Sequence, residues 1–468
     1  MRGFDCFSTL DATIMAENST KYTRSVAVNM VIANMIGTGI FTSLSFQVLD
    51  SGIPDPFAIL CIWVLGGLAA LCGAAAYAEV ATTIRKSGGE YAFLSEIYHP
   101  LLGFISGWIS MVAGFSAAIA GLALATGQYF IPLLGVPHDA TVNVGFEMPV
   151  SQIVATVVIL LVVLVQLRGV RFGGIFQNVI TYLKVGLIAV FLLMPFLFSS
   201  YYEPSHVDFS PSDKSWDTIF SLPFAGALVW VMFSYSGWNA STYIAGSLKD
   251  PKRNLPFSLL VGTLIVTVIY FLLNFVFMYV ATFDELAPTD FARIDIGNVV
   301  ATKILGSKAA LFFSAVFSVA LISGVSAMFI AGPKVIQEIG KDYTSFKLLG
   351  HETKGGAPRN AILLMCLISL VLIYTSTFQD IITYIGVTLT LFSLLTVAGV
   401  FVLRYKGKTN EHTVKTWGYP VTPLIFIVLM AWMIAFFVWD NPKIILWSLG
   451  SMVPGVLIYF ATGGKKRT

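Results

Sequence analysis

Charged side chains are scarce in this sequence. Asp, Glu, Lys and Arg make up 11% of 468 residues, less than half the roughly 25% that keeps an ordinary soluble surface wet. Histidine contributes only 5 residues and cysteine 4. Cys6, Cys61, Cys72 and Cys366 follow neither a metal-ligand spacing nor a disulfide framework. Three of them sit in apolar runs, where cysteine behaves as a small hydrophobe. No Gly-rich loop ends in Gly-Lys-Ser/Thr, so nothing cradles a nucleotide phosphate and ATP-driven work by this chain is not expected. The apolar segments lack paired carboxylates and metal-ligand clusters, which speaks against a membrane-embedded enzyme. Neither a cofactor nor a metal ion is expected. Met1 to Arg24 has no apolar stretch of the signal-peptide kind.

Apolar residues fill the space instead. They reach 56%, including 37 phenylalanines, and the mean hydropathy is +0.81. Soluble chains hold roughly 45–50%, and even large domains leave about a quarter of their chain's surface exposed. A soluble enzyme, a nucleic-acid binder and a disordered scaffold are all excluded. The expected solvent is a lipid bilayer.

A spanning helix needs about 20 mostly apolar residues. Twelve stretches qualify: 26–49, 57–84, 101–133, 150–167, 174–199, 217–246, 256–282, 298–332, 358–376, 379–404, 421–439 and 443–462. With both termini inside, only Lys214, Arg293, Lys303, Lys308 and Lys443 fall outside, and Lys184 falls within the membrane. Every other Lys and Arg lies on the inner side, as the positive-inside rule requires of a cytoplasmic face. This predicts a multi-pass protein of the inner (plasma) membrane with cytoplasmic termini. The sequon Asn18-Ser19-Thr20 then lies in the cytoplasm.

Two spans are interrupted. The first reads Asn34-Met35-Ile36-Gly37-Thr38-Gly39-Ile40-Phe41, and the sixth reads Phe233-Ser234-Tyr235-Ser236-Gly237-Trp238-Asn239. Ser25 to Ile36 covers about 18 Å of helix, slightly more than half the hydrocarbon thickness. Small residues can serve close helix packing alone. Two glycine-interrupted segments in corresponding positions, however, point to a transporter binding site. Five spans separate them, and an odd number reverses the crossing direction, as an inverted repeat of five-helix units would.

Electrostatics says what such breaks hold. The outer half of the first span starts at its break, so free N–H groups and the positive helix end favour an anion there. The outer half of the sixth span ends at its break and presents carbonyls, which favour a cation. Facing each other, they suit a zwitterion, a free α-amino acid. The candidate substrate-binding residues are Ile36, Gly37, Thr38, Gly39 and Ile40 on the first break, with Phe233, Ser234, Ser236 and Trp238 on the sixth.

These motifs resemble those of the amino acid–polyamine–organocation superfamily, and within it the bacterial relatives of the L-type amino-acid transporters. Gly37-Thr38-Gly39-Ile40-Phe41 is similar to the family's first-helix motif. Phe233 to Asn239, followed by Lys249-Asp250-Pro251-Lys252-Arg253-Asn254-Leu255-Pro256, is similar to its sixth helix and exit loop. Ser87-Gly88-Gly89-Glu90-Tyr91, Gly332-Pro333-Lys334 and Trp417-Gly418-Tyr419-Pro420-Val421-Thr422-Pro423 match further landmarks. The resemblance implies an all-α membrane protein with the leucine-transporter fold. A tail at 1–24 would precede inverted repeats at 25–200 and 217–405, with helices eleven and twelve at 421–462. It assigns Thr38 and Gly39 to the substrate carboxylate and makes Phe233 an aromatic gate, with Ser236 beside the amino group. The L-type cysteine that joins a partner glycoprotein has no counterpart in 134–149, so no disulfide-linked heavy chain is expected.

Lys184 stands alone in an apolar span, at a depth where an ammonium costs on the order of 2.5–3.5 kcal/mol. It could cap carbonyls for stability alone. The resemblance places it where sodium-coupled relatives hold a sodium ion, beside carbonyls near Gly37 and the hydroxyls of Ser323 or Ser326. It is therefore a candidate coupling residue, as a tethered cation or a proton carrier. No Asp or Glu is expected at substrate depth, Glu79 being nearest, which favours neutral amino acids. The expected function is sodium-independent amino-acid transport by exchange or proton coupling. A cationic amino acid or polyamine antiporter, or a non-transporting sensor, is the alternative.

Overall fold

A computed structural model describes residues 21–49, 51–137, 140–143, 147–286, 296–375, 378–440 and 443–464. The first span is two helices, α1 (Arg24–Met35) and α2 (Gly39–Leu49). Thr23 opens α1 as an extended N-cap whose hydroxyl accepts the Val26 N–H. Helix α3 (Pro56–Ile84) starts on Asp55, whose carboxylate accepts the Ala58 N–H at 2.7 Å, and proline occupies the first helical position. It stops at Arg85 in the left-handed region, φ 56°. The short α4 (Glu90–Ile97) leads into α5 (Pro100–Leu134), whose stretch Ser110–Ala117 widens into a π-helix. Helices α6 (Val150–Leu167) and α7 (Val170–Leu197) close the first half.

The second half opens with α8 (Asp213–Ile219) and α9 (Leu222–Ser234), bent by 66° from each other. A 3₁₀ segment (Ala240–Ser247) follows, then α10 (Pro251–Val280), α11 (Ile296–Leu305) and α12 (Ser307–Asp342). Helices α13 (Arg359–Thr375), α14 (Phe378–Tyr405), α15 (Val421–Asp440) and α16 (Lys443–Ala461) complete the chain. The structure is nearly, not wholly, helical: Thr141–Asn143 pairs antiparallel with Glu147–Pro149, Val142 opposite Met148.

Among the described residues eight helices are long and apolar enough to cross a membrane, or nine with α8 and α9 as one broken span. The stretches expected at 358–376, 421–439 and 443–462 contain shorter apolar helices, Arg359–Thr375, Val421–Phe436 and Ser448–Ala461. The stretch expected as one span at 298–332 contains α11 and α12, separated at Gly306, and α12 runs on to Asp342.

Polarity along α7 is reversed relative to a soluble helix. Val179, Tyr182 and Leu183 are exposed, whereas Gln177, Thr181 and Lys184 are fully buried. That is the arrangement lipid demands, with polar groups facing the bundle interior. Glu79 on α3 is committed within the same interior. It takes the Arg404 guanidinium in a two-pronged ion pair, both bonds 2.7 Å, and the Thr416 N–H at 2.6 Å. The Arg404 guanidinium also lies 3.7 Å from the centre of the Tyr419 ring. This cluster fastens α3 to α14 and the loop beyond it.

Candidate functional site

The first break follows from its glycines. Helix α1 ends at Met35, Ile36 turns extended (φ −77°, ψ 90°), and the helix restarts at Gly39. The first N–H groups of α2 therefore have no intrahelical carbonyl. Gly39 is a close approach: a Cβ there would sit 2.8 Å from Ser234 Oγ and 3.1 Å from Ser234 Cα. At Gly37 the nearest atom, Leu122 Cδ2, would be 3.7 Å away, an ordinary contact.

The sixth-helix break forms against the first. Helix α9 ends at Ser234, and Gly237 adopts φ +93°, a conformation that favours glycine. A Cβ on Gly237 would lie 2.9 Å from the Asn34 carbonyl oxygen, so the two broken segments touch through backbone. Two further links join them. Ser43 Oγ and Ser234 Oγ lie 2.6 Å apart. The Tyr270 hydroxyl, from α10, lies 2.5 Å from the Met35 carbonyl and 2.9 Å from the Ser234 carbonyl, so one proton serves both helix ends.

A cavity of about 250 Å³ opens between these breaks. Gly37, Thr38, Gly39, Phe233, Ser234, Ser236 and Trp238 line it. Ile36 and Ile40 do not belong to its wall; both are buried in packing. Ser234 spends its hydroxyl on the Trp230 carbonyl at 3.0 Å and on Ser43. Trp238 is held edge-on by Tyr77 and Phe426, ring centres 4.7 Å and 5.6 Å away.

Lys184 stands behind the cavity rather than in it. Its Nζ donates to the Ile36 carbonyl at 2.6 Å and the Ala33 carbonyl at 3.3 Å, the carbonyl end of α1, where a cation is favoured. Ser323 and Ser326 use their hydroxyls elsewhere. Ser323 donates to the Ala320 carbonyl at 3.1 Å, and Ser326 accepts from Gln166 Nε2 at 3.1 Å.

The cavity wall also carries a residue that sequence reasoning placed elsewhere. Glu90, Asn239 and Tyr243 line it together, so the expectation of no acidic residue at substrate depth is corrected. Glu90 Oε1 accepts from the Tyr77 hydroxyl at 2.8 Å and Asn239 Nδ2 at 2.5 Å, and Oε2 from the Tyr243 hydroxyl at 2.5 Å. The signal was the motif Ser87 to Tyr91 itself, a carboxylate beside two glycines. Tyr270 had no such signal, standing in an uninterrupted apolar run.

Two broken helices meeting over a small cavity inside an apolar bundle define a membrane carrier, and comparison with known proteins agrees. Residues 23–461 match the amino acid permease family, and the chain belongs to it. The large neutral amino acids transporter small subunit 2 of Oryctolagus cuniculus is 28% identical over 93% of this chain and 78% of its own. The b(0,+)-type amino acid transporter 1 of Homo sapiens is 27% identical over 92% and 86%. The serine/threonine exchanger of Bacillus subtilis is 25% identical over 86% and 87%. This is a family of amino-acid carriers, not of enzymes, and the chain is a multi-pass membrane protein.

Proposed function

We propose that this chain carries neutral α-amino acids across the inner (plasma) membrane by alternating access, without sodium, through exchange or together with a proton. The observation that carries the reading is the meeting of α1–α2 and α9 at one cavity, N–H groups on one side and a helix carbonyl end on the other. The substrate carboxylate lies against Gly37, Thr38 and Gly39, its ammonium lies near Phe233 and Ser236, and the Phe233 ring closes over it. Ser236 and Thr38 support this role, because both line the cavity and carry hydroxyls that can bond a substrate's charged groups. The reading includes twelve spans with cytoplasmic termini, a tail at 1–24, and inverted five-helix repeats at 25–200 and 217–405. Helices at 421–462 stand outside the repeat. With no cysteine in 134–149, the chain works without a disulfide-linked heavy chain.

One observation favours a second reading, transport of cationic amino acids: the Glu90 carboxylate on the cavity wall. Its oxygens already accept three bonds, so neutral side chains remain the preferred reading. Uptake of radiolabelled leucine, serine, threonine and arginine into proteoliposomes, with and without internal amino acid, tests both. Neutral substrates should move and be accelerated by internal substrate or an imposed pH gradient. Arginine moving alone would establish the second reading. Failure of all four under every gradient would leave a sensor.

A further inference from the structure

Transport as proposed uses the breaks and Phe233 but gives Glu90 no task. Its carboxylate is 4% exposed, and its hydrogen bonds come from neutral donors. Tyr77 belongs to α3, whereas Asn239 and Tyr243 belong to the segment beyond the sixth-helix break. The Arg85–Gly89 loop, just before Glu90, is tied to that same segment twice more. The Gly88 N–H donates to the Tyr243 carbonyl at 3.0 Å, and the Gly246 N–H donates to Ser87 Oγ at 3.0 Å. Gly89, at φ +53°, lies flat against the Tyr243 ring, where any Cβ would collide.

A buried carboxylate without a cation is stable only while donors surround it. Two of its three donors ride on one unit, the segment past the sixth-helix break. Partial withdrawal of that unit takes two of three donors from a carboxylate that only Tyr77 then serves, so the closed and open arrangements are both favoured over anything between. We propose that Glu90 is the latch of this end of the cavity. Through Asn239 and Tyr243 it holds the segment beyond the sixth-helix break against the Arg85–Gly89 loop, and substrate passes on that side only when those bonds part. The proposal deepens the carrier reading and rests on it, by naming the positioning residue that closes one of its two paths. A glutamine cannot replace the carboxylate, because it has one acceptor oxygen for three donors and turns an NH₂ toward one of them.

The test is sided labelling of the full chain in oriented vesicles. In a cysteine-free background, Met328→Cys places a thiol on the cavity wall, read with a membrane-impermeant maleimide. Glu90→Gln should speed labelling from the face bearing the Arg85–Gly89 loop by about tenfold, the fold-change of losing one hydrogen bond to a charged group. Labelling from the opposite face should not rise, and Glu90→Asp should restore part of the protection. Tyr243→Phe keeps the ring against Gly89 and removes one donor, so it should shift labelling the same way by less. It also keeps the test intact if Glu90→Gln fails to fold. Unchanged labelling from the loop face in the folded variants, or an equal rise from both faces, would overturn the latch. The assay needs no substrate, so failure of the carrier reading, seen as absent uptake of every amino acid, is distinguished from failure of the latch.

Discussion

Gly37 and Gly39 share one motif and do different work. The Gly39 hydrogen faces Ser234, and an added methyl would press on Ser234 Cα at 3.1 Å, backbone that has no rotamer to change. Overpacking of this kind costs typically 1–3 kcal/mol, here about 2. Gly39→Ala should therefore lower the melting temperature and loosen the junction of the two breaks. Gly37→Ala meets only Leu122 at 3.7 Å, so it should melt near the unmutated protein. A carboxylate docked there would still feel the methyl, with affinity falling roughly fivefold, about 1 kcal/mol. Thermal melting with and without amino acid reads both effects. Equal melting losses for the two variants would contradict the packing at Gly39, and full affinity in Gly37→Ala would move the carboxylate elsewhere.

The breaks themselves were legible because glycine, threonine and serine interrupt otherwise unbroken apolar runs. What fastens them was not. Tyr270 lies between Ile269 and Phe271 in a helix with no interruption, and only folding brings its hydroxyl to the Met35 and Ser234 carbonyls. Glu90 stands in the motif Ser87 to Tyr91, yet its distance from the first break along the chain hid its place on the cavity wall. The segment Ala240–Ser247 supplies the missing link by bringing Tyr243 back to it. Ile36 and Ile40 flank the residues that line the cavity, and spacing along the chain cannot say which neighbours of a break face the cavity and which pack. Tyr270→Phe isolates the fastening. It leaves the ring packed on Trp63 and Tyr235 but strips a donor from two buried carbonyls, at about 1–3 kcal/mol. Melting should fall by that amount and substrate protection should weaken with it. Unchanged melting would show that packing alone joins the two helices.

Energy coupling belongs to the molecule as a whole, because Lys184 ties α7 to the end of α1. Its ammonium takes the Ile36 carbonyl at 2.6 Å, one residue before the cavity-lining glycine. A sodium ion needing those carbonyls would meet a like charge, worth about 4 kcal/mol at 4 Å and an effective dielectric of 20. Uptake should therefore persist when sodium is replaced by choline. Lys184→Ala leaves the Ile36 and Ala33 carbonyls buried without their donor and frees α7 from the break. Transport should fall by about tenfold or more, the equivalent of about 1.4 kcal/mol, while substrate protection against melting survives in part, since the cavity wall itself is intact. The same variant separates a tethered cation from a proton carrier. If Lys184 carries the proton, the residual flux should no longer respond to an imposed pH gradient; if it is only a tether, the response should persist at reduced rate. Ser323 and Ser326, whose hydroxyls bond to Ala320 and Gln166, should tolerate alanine with the pH response intact. Sodium-stimulated uptake by the unmutated protein would refute the tethered cation, since an ion at the Ile36 and Ala33 carbonyls would stand against the ammonium's like charge.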